Sequence, residues 1–288
     1  MKKLFIFCCL VLFVLTACKQ QEVENDNPFF AEFDTPFGVP PFDLIEIEHY
    51  MPAIEEGMKQ EKAEIEAILT NTDPPTFENT IVAYTRTGSF LNKVTPVLYG
   101  LNSANTTPEI QALVKELSPI LSAHRDEISL DPRLFARIKA VYEQKDDLSL
   151  DADQLYLLEN LYSGFVRNGA NLEGEAKEEL KEINKLLSTL GVQFSQNLLG
   201  ETNAYKLIIE DKKDLEGLPE NVRAAGAEAA KRDSMDGKWV YTTQRSSMYP
   251  FLTYSENREL RKQIYRAYTM RGDNDNERDN KDICEEVF

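Results

Sequence analysis

Apolar residues recur along most of this chain at steps of three and four, the spacing that lays one stripe along a helix. Between Glu46 and Leu69 the stripe is Ile47, Met51, Ile54, Met58, Ile65, Ile68 and Leu69, interrupted by a polar stretch from Lys59 to Glu64. Thr76 precedes a second run through Ile81, Tyr84, Leu91, Val94 and Leu98. Pro96 is expected to kink or end that helix, because it has no amide proton and crowds the preceding turn. Thr107-Pro108 and Asp131-Pro132 each set a capping side chain before a proline suited to the first helical position. They predict helices through Ile110, Leu113, Leu117 and Leu121, and through Leu134, Ile138 and Val141. Asp151 with Gln154 three residues on reads as a capping box before Leu155, Leu158 and Tyr162. The clearest helix runs from about Glu175 to Leu199, where Leu180, Ile183, Leu187, Leu190, Phe194 and Leu198 form one continuous stripe expected to lie in the core.

The period shortens at Tyr205 to Glu210 and again at Lys238 to Thr242, two short runs rich in β-branched and aromatic residues. Between them lie a turn at Gly217 to Pro219 and an alanine-rich helix from Asn221 to Arg232. The fold class predicted is mostly α, with a small β element around residues 204–243 whose strand direction stays open. Ser255 is expected to cap a helix through Leu260, Ile264 and Tyr268, ending near Gly272, and Asn276 to Phe288 begins another amphipathic helix. That last pattern has no C-cap and stops on Val287 and Phe288, which predicts a broken end and hence a fragment. Ahead of the helices, Pro28, Pro36, Pro40 and Pro41 alternate with Phe29, Phe30, Phe33, Phe37 and Phe42, predicting an extended arm pinned by aromatics.

The N-terminus has a different character. Met1-Lys2-Lys3, an apolar run from Leu4 to Leu15, and Leu15-Thr16-Ala17-Cys18 read as a bacterial secretory signal too short to span a bilayer. With cysteine after the cut it resembles a lipoprotein box, predicting removal of residues 1–17, lipid on Cys18 and a flexible polar tether over residues 18–27. Acyl chains contribute roughly 0.8 kcal/mol per methylene buried, so the anchor would be durable. The predicted location is the bacterial cell envelope, on the periplasmic side of the outer membrane, because Lys19 rather than Asp follows the cysteine. Cys8 and Cys9 leave with the signal, so Cys284 is the one thiol remaining and no internal disulfide can form.

The formal net charge is −17, and loss of Lys2 and Lys3 takes it to −19, from 30 basic and 49 acidic side chains. Such a surface repels phosphate backbones, which excludes nucleic acid as a partner. The chain has only two histidines, His49 and His124, and neither opens His-Glu-x-x-His, the usual helical source of catalytic zinc ligands. Glu46 and His49 share favourable helical spacing without a specified third ligand, and His124 beside Arg125, Asp126 and Glu127 reads as a solvated helix end. Asp273 to Asp279 is acidic but lacks the spacing and central glycine of a calcium loop. Arg258, Arg261, Arg266 and Arg271 could meet a peptide carboxylate, although salt bridges to the abundant acids are the plainer expectation.

Ordered blocks carry a family resemblance. The stretch from Pro41 to Gly57, then Thr76-Phe77-Glu78-Asn79-Thr80-Ile81, Arg167-Asn168-Gly169-Ala170-Asn171-Leu172, Phe194-Ser195-Gln196-Asn197-Leu198 and Leu215-Glu216-Gly217-Leu218-Pro219 resemble the front half of the thimet oligopeptidase and peptidyl-dipeptidase family. Tyr254-Ser255-Glu256-Asn257-Arg258-Glu259-Leu260-Arg261, continuing to Ala267-Tyr268-Thr269-Met270-Arg271-Gly272, is the most specific block. The resemblance runs over residues 28–288 and is nearest the branch with oligopeptidase A and dipeptidyl carboxypeptidase. It implies the helical half of a clamshell metallopeptidase that hydrolyses short peptides, using zinc held by His-Glu-x-x-His and a later Glu in the complete enzyme. Those residues have no counterpart here, so no catalytic, cofactor-binding or metal residue is assigned and the chain alone is predicted to be inactive. The expected partners are short peptides and a membrane reached through Cys18, and the expected state is a monomer. The alternative is a non-catalytic lipoprotein serving as a peptide-binding or scaffold module.

Overall fold

The computed structural model describes residues 27–288, so the signal, the Cys18 lipidation site and the tether up to residue 26 lie outside the described residues. The described chain divides into two compact units, one comprising residues 27–72 with Val82–Ala104, the other Asp73–Ile81 with Asn105–Phe288.

In the first unit, 3-10 turns at Pro28–Phe30, Pro36–Gly38 and Ile47–His49 lead into α1 (Tyr50–Leu69), which packs on α2 (Ser89–Ala104). Ala53, Ile54, Ile65 and Ile68 of α1 are buried, as are Leu91, Val94, Val97 and Leu98 of α2. The approach is close at Gly57, where an added Cβ would lie 3.0 Å from Leu91 Cα. The arm is turned rather than extended, and its aromatics divide. Phe29 is fully buried against Tyr50 (ring centroids 5.2 Å apart) and Phe30 stacks on Phe90, whereas Phe37 and Phe42 face solvent. Pro96 does not end its helix: α2 continues to Ala104, and the break falls earlier, at Arg86 to Gly88. The reason is local, since Pro96 and Asn92 both lie on the solvent face, where water can satisfy the carbonyl that Pro96 leaves without its amide partner.

The second unit opens at Asp73 and holds all but the last residue of a π-helical turn, Phe77–Val82, entered through reciprocal bonds between Thr76 and Asn79. Helices α3 (Pro108–Ser129), α4 (Pro132–Tyr142), α5 (Ala152–Arg167) and α6 (Gly174–Ala204) follow. The three sequence-read caps are in place: Thr107 accepts from the Ile110 amide, Asp131 from the Arg133 amide, and Asp151 with Gln154 forms the capping box. Helices α4 and α5 pack together, with Leu134, Ile138 and Val141 of the first and Leu158 and Phe165 of the second buried, and Tyr142 and Tyr162 stack with ring centroids 3.9 Å apart. By contrast, α3 and α6 meet along a polar seam. Ser118 Oγ donates to Ser188 O at 3.0 Å, Asn184 Nδ2 to Asp126 Oδ1 at 2.9 Å and Gln196 Nε2 to Gln111 O at 3.0 Å. The apolar stripe of α6 is only partly covered: Leu180, Leu190 and Leu198 are half-buried, whereas Ile183, Leu187 and Phe194 are 36–45% exposed.

The remainder forms a small α/β cluster. Strand β1 (Leu207–Ile209) pairs antiparallel with β2 (Trp239–Tyr241), Ile208 opposite Val240, with α7 (Glu220–Arg232) between them in the chain. Leu207, Ile209, Leu215, Val222 and Tyr241 share a core with Met248 and Phe251 of α8 (Arg245–Tyr254) and Ile264 of α9 (Arg258–Thr269). Two details differ from the sequence reading: α8, which carries Pro250, was not foreseen, and the cap of α9 is Asn257, accepting from the Glu259 and Leu260 amides. Ser255 lies buried at the corner between the two helices. A short α10 (Lys281–Val287) buries Ile283, while Val287 and Phe288 face solvent. Among the described residues no helix is long and apolar enough to cross a membrane.

Candidate functional site

Each chemically suggestive residue has a definite place, and most are engaged in holding the fold. His49 ends the 3-10 turn before α1, where its Nδ1 accepts the Glu46 amide at 3.0 Å and its carbonyl accepts Asn27 Nδ2 at 2.7 Å. The Glu46 and His49 spacing is thus a helix-entry device, and an Nδ1 that accepts an amide proton is not offered to a metal. His124 is buried rather than solvated, 6% exposed on the inner face of α3. Its neighbours Arg125 and Glu127 face outward, while Asp126 turns in. Among the described residues no group of three or more His, Cys, Asp and Glu side chains could hold a metal ion. The described residues do not fit a catalytic zinc. Cys284 is exposed and unpaired with another cysteine.

The acidic loop Asp273 to Asp279 has its own cation. Lys281 Nζ lies 3.1 Å from Asp273 Oδ1, 2.5 Å from Asp275 Oδ1 and 3.3 Å from Asp279 Oδ2, and these carboxylates push the ammonium pKa well up. The loop is fastened to α6 through the buried Glu201, which accepts from Asn274 and Asn276 and faces Arg278 at 3.8 Å. Asn197 and Asn280 close the junction at 2.9 Å.

The arginines of α9 and its C-terminus were expected to pair with acids, and two instead bind neutral oxygens. Arg261 donates to Ser255 O, and Arg271 donates to Tyr268 O and Thr202 Oγ1 while stacking 4.0 Å over the Tyr268 ring. The Arg245 side chain, bonding the Tyr268 hydroxyl, holds that phenol below its usual range.

Two cavities among the described residues bear on ligand binding. One, of about 580 Å³, lies in the first unit beneath the arm, bordered by Phe33, Asp34, Asp43, Glu46 and His49. The other, of about 400 Å³, lies in the second unit between α3, the end of α5 and α6. Asp126 and Asn184 form its polar floor, Leu180 and Leu187 an apolar side, and the outward-facing Arg125 and Arg167 its rim. Burial raises the Asp126 carboxyl above its ordinary range, outweighing the Asn184 hydrogen bond and the charges of Arg125 and Lys181. The Arg167-Asn168-Gly169 stretch brings two of the lining residues here. Gly169, at φ +88°, leaves the space in which Leu180 sits, since an added Cβ would lie 2.3 Å from Leu180 Cδ2. Sequence reasoning missed this cavity because its residues come from three helices. The available signal was an aspartate at position 126 among the buried positions of α3, between His124 and Ile128.

No family model matches the chain. It is 34% identical over 261 residues to dipeptidyl carboxypeptidase of Escherichia coli (strain K12), covering 91% of this chain and 38% of that protein. It is 28% identical over 258 residues to oligopeptidase A of the same strain (88% and 38%) and 24% identical over 222 residues to the thimet-like oligopeptidase of Dictyostelium discoideum (76% and 32%). The chain thus spans well under half the length of the curated relatives it matches. Identity at this level over nine-tenths of the chain, on a mostly helical body with a two-stranded sheet, agrees with the ordered blocks, and the chain belongs to the thimet oligopeptidase and peptidyl-dipeptidase family.

Proposed function

We propose that the chain contributes to hydrolysis of short peptides, as the helical portion of a zinc-dependent oligopeptidase or peptidyl-dipeptidase tethered to a membrane through lipid on Cys18. The observation that carries this reading is the 34% identity to dipeptidyl carboxypeptidase across 91% of the chain. Zinc would polarise the scissile carbonyl and lower the pKa of the attacking water. Its ligands are not among the residues described. On this reading the 288 residues supply framework and peptide-contacting surface, and by themselves cut no peptide.

The test is hydrolysis of an internally quenched peptide by the purified chain, with and without chelator, together with a search of the coding DNA downstream of Phe288. Absence of cleavage, with a His-Glu-x-x-His and a later Glu encoded in frame, is the expected result. Chelator-sensitive cleavage that survives rigorous purification would overturn the inactivity of the chain alone. A cooperatively folding chain with a clean stop codon and no such motif nearby would favour the non-catalytic peptide-binding lipoprotein instead.

A further inference from the structure

The cavity of about 400 Å³ between α3, α5 and α6 belongs to none of the chemistry above, and its lining is unlike an ordinary surface cleft. It is within the size range of small-molecule sites, which combine an apolar wall with a few converging polar groups. Here the apolar wall is Leu180 and Leu187, and the polar groups carry both signs of charge. Arg125 and Arg167 form no salt bridge among the described residues, in a protein with a large excess of acids. Asp126 is only 6% exposed, yet it has no cationic partner within salt-bridge distance; Asn184 Nδ2 occupies Oδ1 at 2.9 Å, and Oδ2 accepts no hydrogen bond among the described residues. A largely buried carboxylate with one oxygen opening into the cavity favours a positive partner there. A pair of guanidiniums is suited to a carboxylate.

We propose that this cavity binds a small zwitterion, a free amino acid or a dipeptide. The ligand's carboxylate lies against Arg125 and Arg167, its ammonium against Asp126, and an aliphatic side chain against Leu180 and Leu187. The chemistry shared by the two ligands is an unblocked ammonium and carboxylate joined by a short span. No bond is made or broken, so the site acts as a sensor or holding site and does not depend on the hydrolytic reading. Polyanions and long peptides are excluded, the first by Asp126 and the second by the cavity's volume.

The experiment is calorimetric titration of the purified full chain, in EDTA so that no peptide is cut, with glycyl-leucine, leucine and N-acetyl-glycyl-leucinamide. The expected result is saturable binding of at least one zwitterion and binding of the doubly blocked compound weaker by about tenfold or more, because charged hydrogen bonds are lost. Tighter glycyl-leucine identifies a dipeptide site, and equal or tighter leucine an amino-acid site. Arg167 is exposed, so Arg167→Gln leaves the thermal midpoint in place while weakening the zwitterion about tenfold. The same variant leaves binding of glycyl-leucinamide nearly unchanged. No saturable zwitterion binding, equal binding of the doubly blocked compound, or an Arg167→Gln variant with unchanged affinity would each overturn the assignment.

Discussion

Gly217 joins the 3-10 turn after β1 to the helix α7, and replacing it with alanine tests how tightly the α/β cluster is closed. Its φ is +82°, and an added Cβ would lie 2.1 Å from the Tyr254 carbonyl oxygen and 2.8 Å from Glu256 Cγ. The backbone carbonyl cannot rotate aside, and the Glu256 amide already bonds Glu216 O at 3.0 Å across the same junction. Two costs follow. Left-handed backbone costs an alanine roughly 1–2 kcal/mol, and forcing the α8 corner away from the turn costs a further 1–3 kcal/mol or so, as overpacking does. The sum, about 2–5 kcal/mol, corresponds to a midpoint lowered by roughly 5–15 °C at this chain size. Gly237 separates the terms, because its φ is +83° and nothing lies within 4 Å of its added Cβ. Gly237→Ala is expected to lose only the backbone part. The single tryptophan, Trp239, packs against this cluster, so its fluorescence in urea reports the right unit. Equal losses in the two variants, or a Gly217→Ala loss within about 0.5 kcal/mol of zero, would refute the steric argument.

Two aspartates predict opposite pH behaviour. Burial pushes Asp131 upward, but hydrogen bonds from the Arg133 side chain and amide outweigh it and leave the carboxyl below its usual range. The stability Asp131 confers is therefore present above the ordinary aspartate value of about 3.9 and lost as pH falls through the lower folded value; Asp131→Asn should lower the midpoint at pH 7 and converge with the parent toward pH 2 in thermal melts. Asp126 is shifted upward by burial, so its cost to the fold appears as pH rises. Asp126→Asn should equal or exceed the parent's stability at pH 7, with the gain vanishing below about pH 4; a loss at pH 7 with no gain anywhere would contradict this. The exposed stripe on α6 should bind anilinonaphthalene sulfonate, and Ile183→Gln with Leu186→Gln should cut the fluorescence while moving stability by no more than about 0.5 kcal/mol each. Growth with a radiolabelled fatty acid should label the protein, and Cys18→Ser should abolish the label; unchanged labelling would remove the anchor at that position.

Helix existence was legible because caps and stripes are local. Thr107, Asp131 and Asp151 announce helix starts by hydrogen bonds spanning two or three residues, and the structure places all three caps there. What the sequence hid depends on distant partners. The stripe of α6 reads as core by periodicity, yet α3 meets that helix through Asn184, Ser188 and Gln196 and leaves Ile183, Leu187 and Phe194 largely in solvent. Pro96 reads as a helix breaker, but its effect depends on which face of α2 it occupies. The missed α8 contains Pro250 and no cap side chain that bonds its first amides, so it lacked a local signal, and it forms because Met248 and Phe251 are buried in the cluster. The antiparallel pairing of β1 and β2 likewise needs the path of the 29 residues between Ile209 and Trp239, which strand composition does not encode.

The same distinction governs the chemistry. A residue can act on a ligand only if the fold has not already used its donors and acceptors. His49 has Nδ1 engaged by the Glu46 amide, Arg261 and Arg271 are committed to Ser255, Tyr268 and Thr202, and the three aspartates of the acidic loop enclose Lys281. Each matched a functional pattern in sequence, and each is a fastening in the structure. Arg125, Arg167 and one oxygen of Asp126 have no such partner among the described residues and border one cavity. A buried carboxylate kept there raises the energy of the empty fold, which is why Asp126→Asn is expected to be stable at neutral pH and poor at holding an ammonium. Stability gained together with affinity lost, in one variant, is the combination that a purely structural aspartate could not produce.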